Sequence, residues 1–288
     1  MVARQTILVT GSNGQLGMEL RQLVNVYPQF KFIFSTKEEF NIADTNSVNN
    51  FFRLTSPSYL INCAAYTAVD KAESEPDEAF ITNSKAPGVL ATACAENNSR
   101  FIHISTDYVF DGTATSPYTD KSQTNPVSVY GKSKLAGEVN AVKANPGSII
   151  IRTAWVYSRF GKNFVKTMLR LMSEKQEIGV VNDQLGSPTY AADLAAAILV
   201  IITSGEWEPG IYNYTNKGII SWFDFASTIK ELINSRCNIK PITTSQYPTP
   251  AQRPAYSVLD GSKIAAAYNV KLIDWKESLA VCLDKLSR

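Results

Sequence analysis

A tyrosine and a lysine that could exchange a proton stand four residues apart in the segment VYGKSKLAGE. On a helix, a spacing of four places both side chains on one face, one turn apart. A phenol loses its proton near pH ~10 in water, and a neighbouring ammonium group lowers that value. Tyr130 is therefore a candidate proton donor to a carbonyl oxygen, with Lys134 as its partner. The spacing alone is weak evidence, since Tyr27–Lys31 repeats it in an apparent turn.

A hydroxyl side chain is predicted beside this pair. Thr106 follows the strand-like segment FIHIS, and ligands of doubly wound sheets bind at the carboxyl ends of the strands. Thr106 would donate a hydrogen bond to a substrate oxygen as negative charge develops on it. The one histidine, His103, lies in the same segment and is interpreted as a packed strand residue, because a multi-histidine zinc site needs more than one.

A glycine-rich turn in TILVTGSNGQLGMEL predicts a dinucleotide site. Gly11, Gly14 and Gly17 follow the first predicted strand and open a helix. Glycine permits a tight turn, close approach of a pyrophosphate and close packing of helix on strand. The helix N-terminus adds free backbone N–H groups and a positive partial charge. A P-loop is excluded, because Met18 follows Gly17 where a P-loop has lysine.

The tip of the second predicted strand indicates which dinucleotide binds. A carboxylate there is typical of NAD sites, but the segment FIFSTKEEF has Ser35, Thr36 and Lys37 at this point. These side chains would accommodate a 2′-phosphate. We therefore predict NADP(H) as the preferred cofactor and NAD(H) as the second choice. The alternative interpretation is that Lys37 is simply an exposed loop residue.

Strands and helices alternate in the first half of the chain. Short apolar runs, typical of buried parallel strands, lie at 6–10, 31–35, 59–65, 101–105 and 148–153. Their alternation with helical segments predicts an α/β fold with a Rossmann-type doubly wound parallel sheet over residues 1–153. Residues 154–288 are less regular and predict a smaller mixed domain that mainly binds substrate. We expect the chain to cross back to the first domain later.

Composition argues against several classes of protein. The formal net charge is +2 with dispersed basic residues, which predicts no nucleic-acid partner and no anionic membrane surface. No apolar run approaches the ~20 residues that span a bilayer, and the N-terminal run is too short for a signal peptide. The 4 cysteines are scattered without metal-ligand spacing, as in reduced, cytoplasmic proteins.

Beyond these single features, the chain resembles the extended short-chain dehydrogenase/reductase family. The segments that carry the resemblance are VTGSNGQLG, NCAAYTAVDKAESEP, STDYVFDG, PVSVYGKSKLAGE, RTAWVY, GKNFVKTMLRL, VVNDQLGSPT and YPTPAQRPAYSVLD. Within that family, the likeness is to enzymes that act on dTDP-linked sugars. It implies NAD(P)H-dependent reduction of the 4-keto group of dTDP-4-dehydro-6-deoxy-L-mannose to give dTDP-L-rhamnose, by a monomer or homodimer.

The resemblance also implies roles for particular residues. Tyr130 is the proton donor, Lys134 is its partner and also holds the cofactor, and Thr106 is the supporting hydroxyl. The further residues implied at the cofactor are Gly14, Gln15, Leu16, Asn41, Ile42, Ala65, Tyr66 and Thr67, with Asn41 replacing a usual acidic residue. Those implied at the sugar nucleotide are Thr106, Asp107, Trp155, Asn182, Asp183, Gln184 and Arg253.

Several of these residues also have structural interpretations. Trp155 could pack in a core, Asp107 could cap a turn, and Arg253 could form a salt bridge at the rim. Asn83 is interpreted as a buried helix residue and is not assigned to the site.

A metal ion is considered, but the sequence argues against it and no metal ligand is assigned. Some family members dimerise through a metal held by glutamates. Glu19 matches one such position, but Asp193 stands where another glutamate would be expected. Magnesium is therefore named without a ligand set.

Two other functions stay open on the sequence. One is a catalytically silent regulatory subunit, since the β subunit of methionine adenosyltransferase resembles the same family. The intact set of Thr106, Tyr130 and Lys134 argues against it. The other is a nucleotide-sugar epimerase, which keeps its cofactor through a closed redox cycle, so that stoichiometric cofactor consumption distinguishes the two enzymes.

Overall fold

The computed structural model describes residues 4–287. Its strands are β1 (Gln5–Thr10), β2 (Phe30–Phe34), β3 (Tyr59–Asn62), β4 (Arg100–Thr106), β5 (Ile149–Thr153), β6 (Val156–Tyr157), β7 (Glu177–Val181), β8 (Leu185–Gly186), β9 (Thr189–Tyr190), β10 (Gly210–Asn213), β11 (Ile220–Ser221) and β12 (Asn238–Ile242). Its α-helices are α1 (Gln15–Gln22), α2 (Thr45–Thr55), α3 (Val69–Ala72), α4 (Pro76–Phe80), α5 (Ala86–Glu96), α6 (Val129–Ala144), α7 (Phe164–Glu174), α8 (Ala191–Thr203), α9 (Trp222–Leu232), α10 (Ser262–Tyr268) and α11 (Trp275–Ser287).

A six-stranded parallel sheet forms the centre of the molecule. Its strand order is β10-β5-β4-β3-β1-β2. The register pairs Thr10 of β1 with Asn62 of β3, and Asn62 with His103 of β4. Thr106 pairs with Thr153 at the end of β5. The predicted Rossmann-type parallel sheet is confirmed, and the carboxyl ends of its central strands form one edge.

Both faces of the sheet are covered, as buried parallel strands require. Alternate residues of β4 show this directly: Ile102 packs in a core with α1 and α8, whereas Phe101 packs in a second core with α2 and α5. Apolar side chains on both sides of each strand explain the continuous apolar runs of the sequence.

The second half of the chain contains smaller sheets. The pairs β11–β8, β12–β7 and β6–β9 are each two-stranded. Their core lies among α7, α9 and α11 and is rich in aromatic rings. The strand β10 leaves this region and joins the large sheet beside β5. The division into two domains with a boundary near residue 153 stays a prediction.

One predicted helix is interrupted. The segment expected to be helical from Pro76 to Asn97 contains a π-helical turn at Ile81–Lys85 between α4 and α5. The turn places the Asn83 carbonyl oxygen against Gly137 of α6, where any Cβ would collide with it. The glycine thus permits close packing of the widened turn on α6. Among the helices described in residues 4–287, none is long and apolar enough to cross a bilayer.

Candidate active site

In the turn after β1, two glycine positions have no room for a side chain. Gly11 has a φ of +65°, and a Cβ there would lie 2.6 Å from the backbone nitrogen of Ala64. A Cβ at Gly17 would lie 2.6 Å from the Cα of Ser12, inside the same turn. Glycine is therefore required at both positions, at the first by conformation and space and at the second by space.

The N-terminus of α1 suits a phosphate group. Its N-cap is Gly14, which has no side chain to cap the first N–H groups. By contrast, α2, α6, α7 and α9 are capped by the side chains of Asp44, Ser128, Asn163 and Ser221. Uncapped N–H groups at a helix start bind anions well. The turn therefore fits the pyrophosphate of a dinucleotide.

Two other residues of this segment face the rest of the protein. The side chain of Gln15 donates to the carbonyl oxygen of Val156 at 3.3 Å and accepts from Asn163 at 2.9 Å. Leu16 is buried in the core with α8. Gln15 thus connects the start of α1 to the second half of the chain.

The tip of β2 differs in detail from the sequence prediction. The Ser35 hydroxyl is buried and donates to the carbonyl oxygen of Val9 at 3.2 Å, so it is directed into the sheet. The backbone N–H of Thr36 donates to a Glu39 carboxylate oxygen at 2.6 Å. Lys37 is exposed. Of the predicted residues, Lys37 is the one available to pair with a 2′-phosphate.

The next loop residues organise their own turn. The Asn41 side chain accepts from the backbone N–H of Ala43 at 3.0 Å, and its own N–H donates to the Ser47 hydroxyl at 3.1 Å. Ile42 is partly buried against the core beneath α2.

The loop after β3 is clamped by Asn83, a residue that was not assigned to the site. Its Oδ1 accepts from the Tyr66 N–H at 2.8 Å, and its Nδ2 donates to the Tyr66 carbonyl oxygen at 3.0 Å. Nδ2 also donates to the Ser133 hydroxyl of α6 at 3.0 Å. The stretch Ala65–Thr67 is thereby fixed against the helix that carries Tyr130. The π-helical turn that positions Asn83 has no sequence signal.

The end of β4 and the first turn of α6 meet as predicted. Thr106, Asp107 and Tyr130 are all buried. The Thr106 hydroxyl is within hydrogen-bond reach of Tyr130, and it also donates to Asp107 Oδ1 at 2.9 Å. Burial raises the pKa of Tyr130 to about 12, and the hydrogen bond with Thr106 opposes that change. The prediction of a lowered tyrosine pKa is therefore wrong. A protonated phenol suits a proton donor.

Asp107 is a buried carboxyl with a perturbed proton affinity. Burial is the main cause that raises its pKa to about 6, and hydrogen bonds from Thr106 and Ser257 oppose that change. Its Oδ2 is buried and has no partner within the part of the chain that the structure describes. Such a group is available to a substrate hydroxyl. The side chain that caps this turn is Thr106, which accepts from the backbone N–H of Tyr108 at 3.3 Å.

Lys134 is buried on the same face of α6. Its Nζ donates to the carbonyl oxygen of Ile104 at 2.6 Å and lies 3.5 Å from Nε2 of His103. Burial lowers the pKa of Lys134 to about 8, and the Glu138 carboxylate opposes that change. A buried lysine of this kind exchanges its proton near neutral pH.

A buried ion pair supports this helix from behind. Arg152 of β5 donates through Nε and Nη2 to the two carboxylate oxygens of Glu138, at 2.9 and 2.7 Å. Both side chains are 3% exposed. The Ser105 hydroxyl donates to the same carboxylate at 2.5 Å. A bidentate pair of this kind fixes α6 against the carboxyl ends of β4 and β5.

Aromatic rings form one wall on the substrate side. Trp155 has a φ of +48°, which is rare for a bulky residue. Its ring stacks on Trp222 with centroids 3.5 Å apart and contacts Gly186, where a Cβ would collide. Trp155 is half-buried. Strain and partial exposure together favour a role in binding over core packing.

Arg253 lies on the Pro-rich loop with one side of its guanidinium committed. Its Nη2 donates to Asp70 Oδ2 at 2.7 Å, and the backbone N–H of Ala251 donates to Asp70 Oδ1 at 3.2 Å. Its Nη1 is buried and has no partner among the described residues 4–287. The salt-bridge interpretation therefore applies to Nη2, whereas binding of substrate by Nη1 stays a prediction.

The residues after β7 connect loops to each other. Asn182 accepts from the Ser221 hydroxyl at 2.9 Å. Asp183 accepts from the backbone N–H and the hydroxyl of Thr244, and Gln184 donates to the same hydroxyl at 3.1 Å. These contacts place the three residues around the start of α9 and the Thr244 turn.

The two acidic residues considered for a metal have protein partners. Glu19 accepts from the Ser158 hydroxyl at 2.7 Å. Asp193 accepts from Asn216 at 2.7 Å and from Ser278 at 2.5 Å. Within residues 4–287, no group of three or more His, Cys, Asp or Glu side chains is suitably placed for a metal ion.

Comparison with known proteins identifies the family of the chain. The sequence model of the family described as the RmlD substrate binding domain matches residues 5–288. A dTDP-4-dehydrorhamnose reductase from Sinorhizobium fredii is 41% identical over 281 residues, which cover 94% of each chain. The dTDP-4-dehydrorhamnose reductase structure from Clostridium acetobutylicum has a TM-score of 0.95 at 42% identity, covering 99% of this chain and 100% of that one. The one from Bacillus anthracis in complex with NADP has a TM-score of 0.94 at 35% identity, covering 98% and 100%.

The parallel sheet, the glycine turn and the buried Thr106–Tyr130–Lys134 set define the class of extended short-chain dehydrogenases/reductases. Within that class, the chain belongs to the family of the RmlD substrate binding domain. The family resemblance inferred from the sequence segments is confirmed.

Proposed function

We propose that the chain is an NADPH-dependent reductase that converts dTDP-4-dehydro-6-deoxy-L-mannose to dTDP-L-rhamnose. The observation that carries the proposal is the buried set of Thr106, Tyr130 and Lys134, beside a turn shaped for a dinucleotide, in a chain of this family. NADPH is the preferred reductant and NADH the second choice. The NADP complex of the Bacillus anthracis relative supports this order.

The cofactor would be held by the chain's own backbone and side chains. The N-terminus of α1 would bind the pyrophosphate, and Lys37 would pair with the 2′-phosphate. The loop Ala65–Thr67, fixed by Asn83, would lie along the dinucleotide, with Lys134 near its ribose. When bound, the reduced nicotinamide supplies the hydride.

Tyr130 donates the proton that the reduction requires. Its pKa of about 12 keeps the phenol protonated at neutral pH. The phenol proton moves to the sugar O4 as hydride reaches C4. On substrate binding, the single hydroxyl hydrogen of Thr106 would turn from Asp107 Oδ1 to the same oxygen, which carries negative charge at that stage.

The ammonium of Lys134 favours the phenolate that remains on Tyr130. A positive charge one helical turn away stabilises an anion in a site that excludes water. Because the pKa of Lys134 is about 8, this charge is largely retained at neutral pH and is lost as pH increases above that value. We therefore expect reductase activity to fall on the alkaline side.

The sugar nucleotide is recognised from the second half of the chain. Trp155 would contact the apolar face of the deoxysugar, and Asp107 Oδ2 would accept from a sugar hydroxyl. The unpaired Nη1 of Arg253 would donate a charge-assisted hydrogen bond to the diphosphate. Asn182, Asp183 and Gln184 would support the loops around the nucleotide.

The test is to mix the pure chain with NADPH and the 4-keto sugar nucleotide and to follow absorbance loss. We expect stoichiometric oxidation of NADPH and, by NMR of the product, dTDP-L-rhamnose. A product epimerised without net cofactor consumption would indicate an epimerase. Binding of a partner enzyme without any oxidation would indicate a regulatory subunit.

The remaining expectations stay predictions. The free cysteines support a cytoplasmic location. The dispersed charge supports the absence of a nucleic-acid or membrane partner, and the choice between monomer and homodimer is to be measured by sedimentation.

A further inference from the structure

The one histidine of the chain lies between two polar side chains in the centre of the sheet. His103 of β4 is 0% exposed and stacks on Phe101. Its Nδ1 is 3.0 Å from Nδ2 of Asn62 on β3, and its Nε2 is 3.5 Å from Nζ of Lys134 on α6. His103 and Asn62 are direct register partners, and Thr10 of β1 is the next residue in the same row. A row of buried polar residues thus extends from the glycine turn to Lys134.

The orientation of the Asn62 amide is fixed by its other contacts. The backbone N–H of Ala64 donates to Asn62 Oδ1 at 3.2 Å, and the Thr10 hydroxyl donates to the same oxygen at 2.7 Å. A backbone N–H can only donate, so the atom that faces it must be the oxygen. The amide NH₂ group therefore faces His103.

This orientation determines where the histidine carries its proton. An amide NH₂ group is only a donor, so Nδ1 of His103 must accept and is bare. Burial lowers the pKa of His103 well below its ordinary value, with the Lys134 charge as a second cause, so the ring is neutral. A neutral imidazole has one N–H, and here it is on Nε2.

The Nε2–H therefore points at the amine of Lys134. An ammonium has three donors and no acceptor, so its N–H groups would meet another N–H. A neutral amine has a lone pair that can accept from Nε2–H, while one of its own N–H groups still donates to the Ile104 carbonyl oxygen. The histidine matches the neutral form of the lysine.

We propose that Asn62 and His103 form a positioning pair, which fixes the Nε2–H tautomer and favours the neutral amine of Lys134. The pair thereby sets the pH at which the site loses the Lys134 charge. The kinetic measurement of this effect rests on the proposed reductase function. The tautomer of His103 does not, because it is a property of the folded chain.

The other groups that face Lys134 act in known directions. Glu138 on its own helix favours the ammonium, but its carboxylate is held by Arg152 of β5. Cys63, which follows β3, also favours the ammonium where its thiol ionises, yet burial raises the pKa of that thiol. Tyr130 stays protonated. Among these neighbours, the Nε2–H group of His103 is the dipole that disfavours the ammonium form of Lys134.

The direct test is ¹⁵N NMR of the holoenzyme with labelled histidine, in which a single residue gives both ring signals. We expect the proton on Nε2 and a bare Nδ1 throughout about pH 6–9. A proton on Nδ1, or a ring that becomes charged in this range, would overturn the proposal. Asn62→Asp should move the proton to Nδ1, because a carboxylate only accepts.

The kinetic test is the pH profile of NADPH oxidation by His103→Phe. Phenylalanine keeps the ring but removes the N–H, so the basic limb of kcat should move upward by about one pH unit. The control is Phe101→Leu, which perturbs the same strand and should lower Tm without moving the limb. If the basic limb of the kcat profile is unshifted in His103→Phe, the proposal is contradicted. If the unmodified chain does not oxidise NADPH, the proposed function is contradicted instead. The NMR test then decides the tautomer of His103.

Discussion

The two sides of the site are built differently. The residues proposed to act on the reacting atoms come from the end of β4 and the first turns of α6, and all are buried. The residues proposed to bind the sugar nucleotide lie mostly on loops between strands of two to five residues. The proposed chemistry would thus lie on the central sheet and a helix, and the proposed recognition mostly on loops. The proposed catalytic residues thus belong to the first half of the chain, and most of the proposed sugar-nucleotide residues belong to the second.

The ion pairs of the two sides show the same contrast. Glu138–Arg152 is 3% exposed on both sides, whereas Arg253–Asp70 is 22% and 42% exposed. The first pair cannot open without leaving a buried charge. The second can open at lower cost, because both partners have access to water.

The largest expected effect is at the proton donor. Tyr130→Phe should lower kcat about 10³-fold, because no other group is positioned to give the proton. NADPH binding, measured by fluorescence titration, should be largely retained. Tyr27→Phe is the matched control, since that tyrosine has the same lysine spacing outside the site. Near-normal turnover by Tyr130→Phe would remove the residue from this role.

The next effect concerns the buried ion pair. Arg152→Met should lower the free energy of unfolding by about 3–5 kcal/mol, because it leaves the Glu138 carboxylate buried and unpaired. Urea denaturation measures the change. Arg170→Met removes the exposed Arg170–Glu174 pair and should change stability by less than about 1 kcal/mol. Equal losses in both variants would mean that burial does not distinguish the pairs.

A smaller effect is expected at the substrate loop. Arg253→Ala should raise KM for the sugar nucleotide about 10–100-fold with a smaller change in kcat, because the guanidinium is proposed to bind a remote part of the substrate. Arg253→Lys should recover only part of the affinity, since an ammonium lacks the planar fork. Lys240→Ala, at an exposed ion pair with Glu177, should leave KM unchanged. A loss confined to kcat in Arg253→Ala would place the arginine at the reacting end instead.

The smallest effect separates the two cofactors. Lys37→Ala should lower kcat/KM for NADPH about tenfold and leave that for NADH unchanged, because only NADPH has a 2′-phosphate to pair with the ammonium. Steady-state kinetics with each cofactor gives the ratio. Lys31→Ala, exposed near the other end of β2, is the control. An equal loss with both cofactors would assign Lys37 to general binding.

The sequence predicts the first half of the molecule better than the second, for physical reasons. In the sequence, buried parallel strands appear as continuous apolar runs. The two positions of the turn that have no room for a side chain appear as Gly11 and Gly17. Asn83 leaves no such signal, because its function depends on a π-helical turn that no local pattern encodes. The direction of the Ser35 hydroxyl and the crossing of β10 likewise depend on tertiary contacts. In the second half, the β11–β8 and β6–β9 ladders pair two residues each and are too short for a periodic pattern.

The stacked rings of Trp155 and Trp222 have an optical consequence. Two indoles with centroids 3.5 Å apart and planes 10° apart are close enough for their electronic transitions to couple. The chain has 4 Trp, so such a pair would contribute a large share of its near-ultraviolet dichroism. A sugar that moves Trp155 away from its neighbour would weaken that signal. The molecule therefore carries an intrinsic reporter of substrate binding that needs no label.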